Sequence, residues 1–159
     1  MERARGVLAV TAGLGVGPLY TATLRRILLR NLGRLRAGDL RPMVRLYAKD
    51  VHFVFPGESS WSADFRGKEE LERWQQRFLD VGLQLEPHEI LIGGPPWRTT
   101  VVLHFLDSLR APNGELVYEN TGVIFCKAAW GKITFITVYE DTQKVAALDE
   151  YLEGVETVA

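Results

Sequence analysis

His104 stands between Leu103 and Phe105 in an apolar run, and Glu140 closes the last such run of the chain. Both can move protons. A neutral imidazole with a pKa near ~6.5 can shuttle a proton at neutral pH if it faces an interior. A carboxylate moved out of water has its pKa raised and can act as general acid or base. For His104, strand alternation puts it on the side of Val102 and Leu106, and the sequence leaves open whether that side is inner or outer. For Glu140, the alternative role is a solvent-exposed carboxylate that supports an Asp141 helix cap. His52 alternates against Phe53 and Phe55, so it points outward if the rings point inward. The three histidines and the acids show no metal-ligand spacing, so no metal is expected. Cys126 is the one cysteine and lies in an apolar stretch, which suits a buried, unreactive thiol. The alternation Gly13-Leu14-Gly15-Val16-Gly17 lacks dinucleotide-fingerprint spacing, and no cofactor is expected.

Aromatic rings are the other resource. Tyr47, Phe53, Phe55, Trp61, Trp74, Phe78, Trp97 and Phe125 supply either core or the lining of an apolar pocket for a small apolar molecule. Trp61 and Trp97 lie beside loops. Charge argues against polyanionic partners: the net charge is −1 and the pI about 6.3. Arg25, Arg26, Arg30, Arg34 and Arg36, extended by Arg41 and Arg45, form one basic face without interleaved aromatic platforms, so neither nucleic acid nor membrane is expected as a partner. The apolar run Gly6 to Tyr20 follows two arginines and has the outline of an export signal, yet its glycines and Pro18 would make a poor helix and it is too short to span a bilayer. A cytoplasmic protein is expected, with export through this segment as the alternative.

The elements that must position these groups follow from periodicity. The spacing of Leu24, Ile27, Leu28, Leu32 and Leu35 predicts a helix over 23–37, ended by Gly38. Asp39 is placed to cap a second helix that buries Met43, Val44, Leu46 and Tyr47. A short strand covers 51–55, a polar loop carries Trp61, and a third helix runs over 68–81 to Gly82. Four strands are predicted over 83–92, 99–109, 115–126 and 132–140, and Asp141 caps a closing helix that buries Val145, Leu148 and Leu152. This order predicts an α+β fold with helices on one face of a curved antiparallel sheet, leaving a pocket at its wide end. The domain is expected over 23–152, with an N-terminal arm over 1–22 and an acidic tail over 153–159.

Gly38-Asp39-Leu40, Tyr47-Ala48-Lys49-Asp50-Val51, Phe55-Pro56-Gly57, Phe65-Arg66-Gly67-Lys68, Gly131-Lys132-Ile133 and Tyr139-Glu140-Asp141-Thr142 follow one another in an order that resembles the SnoaL-like, polyketide cyclase-like branch of the nuclear transport factor 2-like superfamily. The resemblance implies a cone-shaped sheet around a pocket, a small cyclic or polyketide-like ligand, homodimerisation through the outer sheet face at residues such as Thr137 and Tyr139, and cofactor-independent isomerase, cyclase or dehydratase chemistry. A non-enzymatic binding or dimerisation module is the other class it covers. By the same comparison Glu140 faces the pocket, and Tyr118 and Asn120 resemble a tyrosine-x-asparagine run whose asparagine points inward to bond a ligand carbonyl or hydroxyl. Likeness to ketosteroid isomerases instead puts Val123 inward, with Glu119 and Thr121, and a bulge near Gly122 would reconcile the two. The isomerase base falls on Phe55 and its tyrosine on or near Asn31, while the arginine and aspartate of limonene epoxide hydrolase fall on Thr137 and Val138. Neither of those two reactions is expected.

Overall fold

Leu28, Leu32 and Leu35 are buried along one stripe of the first helix, with Leu24 packed beside them, because they recur every three or four residues. The computed structural model describes residues 16–156. Residues 1–15 of the expected arm and 157–159 of the expected tail lie outside the described residues. Helix α1 (Val16–Arg36) takes in Pro18 and begins before the expected start at Thr23.

Helix α2 (Arg41–Val44) is a single turn, shorter than expected, and Asp39 Oδ1 accepts the Arg41 N–H at 3.3 Å. Tyr47 belongs to strand β1 (Tyr47–Phe55), because the Leu46 carbonyl and the following backbone are recruited into pairing with the last strand: the Ile133 N–H donates to Leu46 O at 2.7 Å. The expected polar loop contains a four-residue edge strand, β2 (Ala63–Arg66), paired with β1 from Phe55↔Ala63 to His52↔Arg66. Helix α3 (Lys68–Val81) ends where Gly82 adopts φ 89°, a conformation that side chains resist. The Gly82 and Leu83 N–H groups donate to Leu79 O and Phe78 O, closing the helix.

Strands β3 (Gln84–Gly93), β4 (Thr99–Arg110), β5 (Leu116–Ala129) and β6 (Lys132–Glu140) form the expected antiparallel meander. The six strands lie in the order β2-β1-β6-β5-β4-β3, and β1 runs parallel to β6. The sheet is therefore mixed. Shifts of register near Pro87, Leu109 and Lys127, and between Tyr47 and His52, introduce the irregularities that bend such a sheet. Helices α1 and α3 pack against β3 and against β1 and β2, and helix α4 (Thr142–Glu156) packs beside β5. As expected, the Asp141 carboxylate caps α4, accepting the Gln143 N–H at 3.0 Å and the Lys144 N–H at 3.4 Å. The architecture is α+β.

One position in β5 has no room for a side chain. A Cβ on Gly122 would stand 2.6 Å from both Glu140 Cγ and the Phe105 ring and 2.8 Å from the Tyr139 carbonyl oxygen. Phe105 is fully buried and the carbonyl is held by the sheet, so the strain has little outlet. Gly122→Ala is expected to lose about 1–3 kcal/mol of stability in urea unfolding, as overpacked cores do. An unchanged midpoint would show that β5 and β6 have slack there.

Candidate active site

Strand β4 alternates without interruption: Val101, Leu103, Phe105, Asp107 and Leu109 are buried, and the residues between them are only partly covered. A carboxylate thus stands in an inward row of hydrocarbons. Asp107 is 3% exposed, and its Oδ1 has no hydrogen-bond partner. Its cross-strand neighbour on β5 is Asn120, and two residues further along β5 Gly122 pairs with Glu140 on β6. Three adjacent strands therefore bring Asp107, Asn120 and Glu140 into one inward patch, with Tyr118 beside them.

Asn120 is 1% exposed, and its Nδ2 donates to the Tyr118 hydroxyl at 3.1 Å, to Glu140 Oε2 at 3.3 Å and to the Asp141 carbonyl at 3.1 Å. The Tyr118 hydroxyl donates to the same Glu140 oxygen at 3.3 Å. Burial pushes Glu140 up to about 8, the negative charge of Asp107 adds to this, and the bonds from Tyr118 and Asn120 oppose it. Burial likewise pushes Asp107 up to about 7, opposed by its own backbone N–H, the Tyr118 hydroxyl and the Lys144 charge. Two carboxylates that feel each other in this way titrate as a pair and hold protons into the neutral range. The Tyr118 hydroxyl, raised by burial and then by the two carboxylates, stays protonated and so remains a donor.

Glu140 reaches the wall of a cavity of about 130 Å³ between the sheet and helices α1 and α3. The rest of the wall is mainly hydrocarbon, including Leu24, Leu28, Leu32, Phe53, Leu103 and Phe105. Among the lining residues the polar side chains besides Glu140 are Tyr20, Tyr47 and Gln75, together with the Cys126 thiol, which burial pushes up to about 12 and leaves unreactive. Among the described residues, no group of three or more His, Cys, Asp or Glu side chains stands close enough to hold a metal ion. No helix among them is long and apolar enough to cross a membrane.

The structure sorts the residues that the sequence singled out. Tyr47, Phe53, Trp74 and Phe78 line the cavity with Glu140, and Tyr118 and Asn120 lie behind Glu140 as its hydrogen-bond partners. Phe55 is buried beside Trp74, with ring centroids 5.7 Å apart, and does not reach the cavity wall. Trp61 is also core: its carbonyl accepts the Trp74 indole N–H at 3.0 Å and Arg77 lies 4.0 Å over its ring. Trp97 is 59% exposed beside Trp130, in the loop before β4. Phe125 falls on the outer face of the sheet, where Lys127 Nζ stands 4.8 Å from its ring.

The same alternation puts His104 on the outer side, a choice that the sequence left open. It pairs with Val123 on the outer face and packs against His88, in a shallow depression lined also by Thr121, Tyr139 and part of Glu140. His52 is outward as expected, bonded to Asp64 at 2.7 Å. Of the two readings of β5, the one with Asn120 inward holds, because Tyr118, Asn120, Gly122, Cys126 and Ala128 are the buried set. The register is continuous through Gly122, so no bulge lies there. Sequence reasoning passed over Asp107; the available signal was an acid at an even spacing within the apolar run Val101 to Leu109. The arginine face is partly occupied: Arg34 and Arg41 both bind Asp39, and Arg25 donates to the Ile90 carbonyl.

Comparison with known proteins fits this geometry. A family model described as the SnoaL-like domain matches residues 30–136. No curated protein matches the chain. Among solved structures, a nuclear transport factor 2-like protein of Burkholderia xenovorans is 18% identical, covering 86% of this chain and 99% of its own, with a TM-score of 0.60. One of unknown function from Burkholderia pseudomallei is 16% identical, covering 79% of this chain and 95% of its own, with a TM-score of 0.65. TerC, co-crystallised with polyporic acid, is 19% identical, covering 79% of this chain and 96% of its own, with a TM-score of 0.61. These likenesses concern the fold. With the family model spanning most of the sheet, the end of α1 and the helices α2 and α3, the chain belongs to the SnoaL-like domain family.

Proposed function

We propose that the domain binds a small, uncharged, cyclic or polyketide-like molecule in its apolar cavity, and that Glu140 moves a proton on it without a cofactor, giving isomerisation, cyclisation or loss of water. The observation that carries this reading is a carboxyl group in a hydrocarbon wall with a second buried carboxylate behind it. A cavity of about 130 Å³ is close in size to the ~150 Å³ engineered cavity known to take benzene, so the ligand is about one ring in size. An ionised Glu140 abstracts a proton beside a carbonyl; a protonated one returns it. The raised proton affinity supplied by burial and Asp107 keeps both forms within reach near neutral pH, where acid/base catalysis is most effective. The co-crystallisation of TerC with polyporic acid supports a small organic molecule in a fold of this kind.

The outer face favours a second association. Register places Leu91, Val102, Phe125 and Thr137 in one outward row and His104, Val123 and Tyr139 in the next. Leu91 is 56% and Tyr139 57% exposed there. In this reading two copies of the chain pair through this face, and a domain without catalytic activity would keep both the cavity and the pairing. Sedimentation at micromolar concentration is expected to give a dimer for the parent and a monomer for Tyr139→Glu; a monomeric parent ends this part.

Catalysis is tested with cyclohexanone, a ring-sized ketone, by following its α-proton exchange in D2O by NMR. The parent is expected to accelerate exchange over buffer and Glu140→Gln to lose on the order of 10²-fold or more of that rate. Saturable binding of cyclohexanone without acceleration would leave the non-enzymatic reading.

Stability carries the same signature. Carboxyls raised from 3.8 to about 7 and from 4.5 to about 8 make the native state hold more protons than the unfolded state between roughly pH 4 and 8. Stability contributed by the pair is thus present at low pH and falls as pH rises through that window. Asp39, held near 2 by Arg41, acts in the opposite sense below it. Urea unfolding of Glu140→Gln and Asp107→Asn is expected to show a flatter pH dependence and, at pH 8.5, a gain on the order of 1 kcal/mol or more over the parent. Identical pH profiles in parent and variants would show the carboxyls to be solvated.

A further inference from the structure

Away from Glu140 the cavity wall contains one polar group that the fold leaves unsatisfied. Gln75 on α3 donates through Nε2 to the Tyr47 hydroxyl at 2.6 Å, and its Oε1 is buried without any hydrogen-bond partner. Both residues line the cavity. Tyr20, the other hydroxyl in the wall, is already bound to Thr99 at 2.6 Å, and Thr99 in turn donates to the Pro95 carbonyl at 3.0 Å. The Tyr47 hydroxyl is itself held in the protonated state by burial, although the bond from Gln75 opposes this.

An unpaired amide oxygen in a hydrocarbon cavity carries the full cost of its lost hydration, which a ligand group of the right kind recovers. If the amide is turned over, Oε1 accepts from Tyr47 and an N–H of Nε2 becomes the unpaired group. A hydroxyl donates to the first arrangement and accepts from the second. A carbonyl serves only the second, and a hydrocarbon serves neither.

Tyr47 pairs with Ile133 at the beginning of β6, whereas Glu140 is the last residue of that strand. The amide and the carboxyl therefore stand toward opposite ends of the cavity. Building on the proposed binding and proton-transfer reading, we infer that the ligand is a hydroxylated ring, its hydroxyl bound by the Gln75–Tyr47 pair and its far side turned to Glu140. The pair acts as a binding and positioning device and takes no part in the proton transfer.

An apolar cavity penalises a hydroxyl by the cost of stripping its water, so a cavity without this pair would favour toluene over p-cresol. Titration of the full chain with the two compounds, followed by NMR shifts of the cavity methyl groups, separates the cases. The expected result is p-cresol bound about tenfold more tightly than toluene by the parent, the span of one net hydrogen bond plus the recovered penalty, with the preference abolished in Gln75→Leu and reduced in Tyr47→Phe. Equal affinity for the two compounds in the parent overturns the inference and leaves the apolar binding site standing. A preference for p-cresol that persists in both variants also overturns it, because the hydroxyl is then bound elsewhere. Binding of neither compound removes the cavity as a ligand site, and the proposed function with it. The comparison within the parent needs no substitution, so a variant that failed to fold would not remove the test.

Discussion

The two N–H bonds of the Asn120 amide are divided among three acceptors, the Tyr118 hydroxyl, the Glu140 carboxyl and the Asp141 carbonyl, while its Oδ1 accepts the Thr121 N–H at 2.9 Å. At 1% exposure it has no water to replace any of them. Through these bonds one side chain of β5 fixes the end of β6, the residue that caps α4, and the oxygen that presents Glu140 to the cavity. A buried amide whose every atom is committed specifies one arrangement of its neighbours, since any other leaves a polar group unpaired in a low dielectric. The inner layer of the sheet, the first turn of α4 and the carboxyl in the cavity wall are consequently set together.

Burying two carboxylates in contact range of each other's field opposes stability, and the arrangement around them limits the cost rather than abolishing it. Tyr118 and Asn120 both donate to Glu140, and Lys144 opposes the rise at Asp107, but Asp107 Oδ1 remains unpaired. A purely structural core would fill this patch with hydrocarbon, as the same strand does at Leu103 and Phe105. Gly122 shows the accommodation from the side of packing. Its missing side chain is the space that Glu140 Cγ and the Phe105 ring occupy, so the glycine on β5 lets a long carboxylate on β6 turn inward over its neighbour. Desolvation at the point where an acid meets a cavity is what shifts its proton affinity.

Periodicity and turn chemistry were enough to read α1, α3, the β3 to β6 meander and α4, because each buries a regular stripe and ends at a turn or cap signal. Two elements were not legible for the opposite reason. Tyr47 to Asp50 has no strand alternation of its own and becomes part of β1 through its parallel partner β6, a contact between residues far apart in sequence. Ala63 to Arg66 is an exposed, charged edge strand whose pattern is that of a loop. Glu140 could be placed from family likeness, and Asn120 was left between two readings. The pairing that would have shown Asp107 is hidden by one residue. Arg110 pairs with Leu116, but Leu109 pairs with Tyr118, so Val117 is an extra residue in β5. Counting back from the turn without that bulge sets Asn120 against Leu106, and with it against Asp107. A shift of one residue exchanges the faces of a strand, so the carboxylate pair becomes visible only once the bulge is known.

Membership in this family leaves the location of the chemistry free, and the reason is physical. The strand end at Phe55 and the outward and inward positions Thr137 and Val138 carry no acid here, while β4 and the end of β6 do. Any inward position of a curved sheet can serve, since what makes a carboxyl reactive is its burial and its neighbours rather than its strand. In this chain those neighbours come from three consecutive strands: the second charge from β4, the donors from β5 and the cavity-facing carboxyl from β6. Such a patch needs the strands in this order and register. It does not need the same residue numbers or the same strand as its relatives. The curved sheet provides a wall on which polar groups can be raised, and the particular register of β4 against β5, one residue out of step with the hairpin turn, decides which acid of this sequence stands behind Glu140.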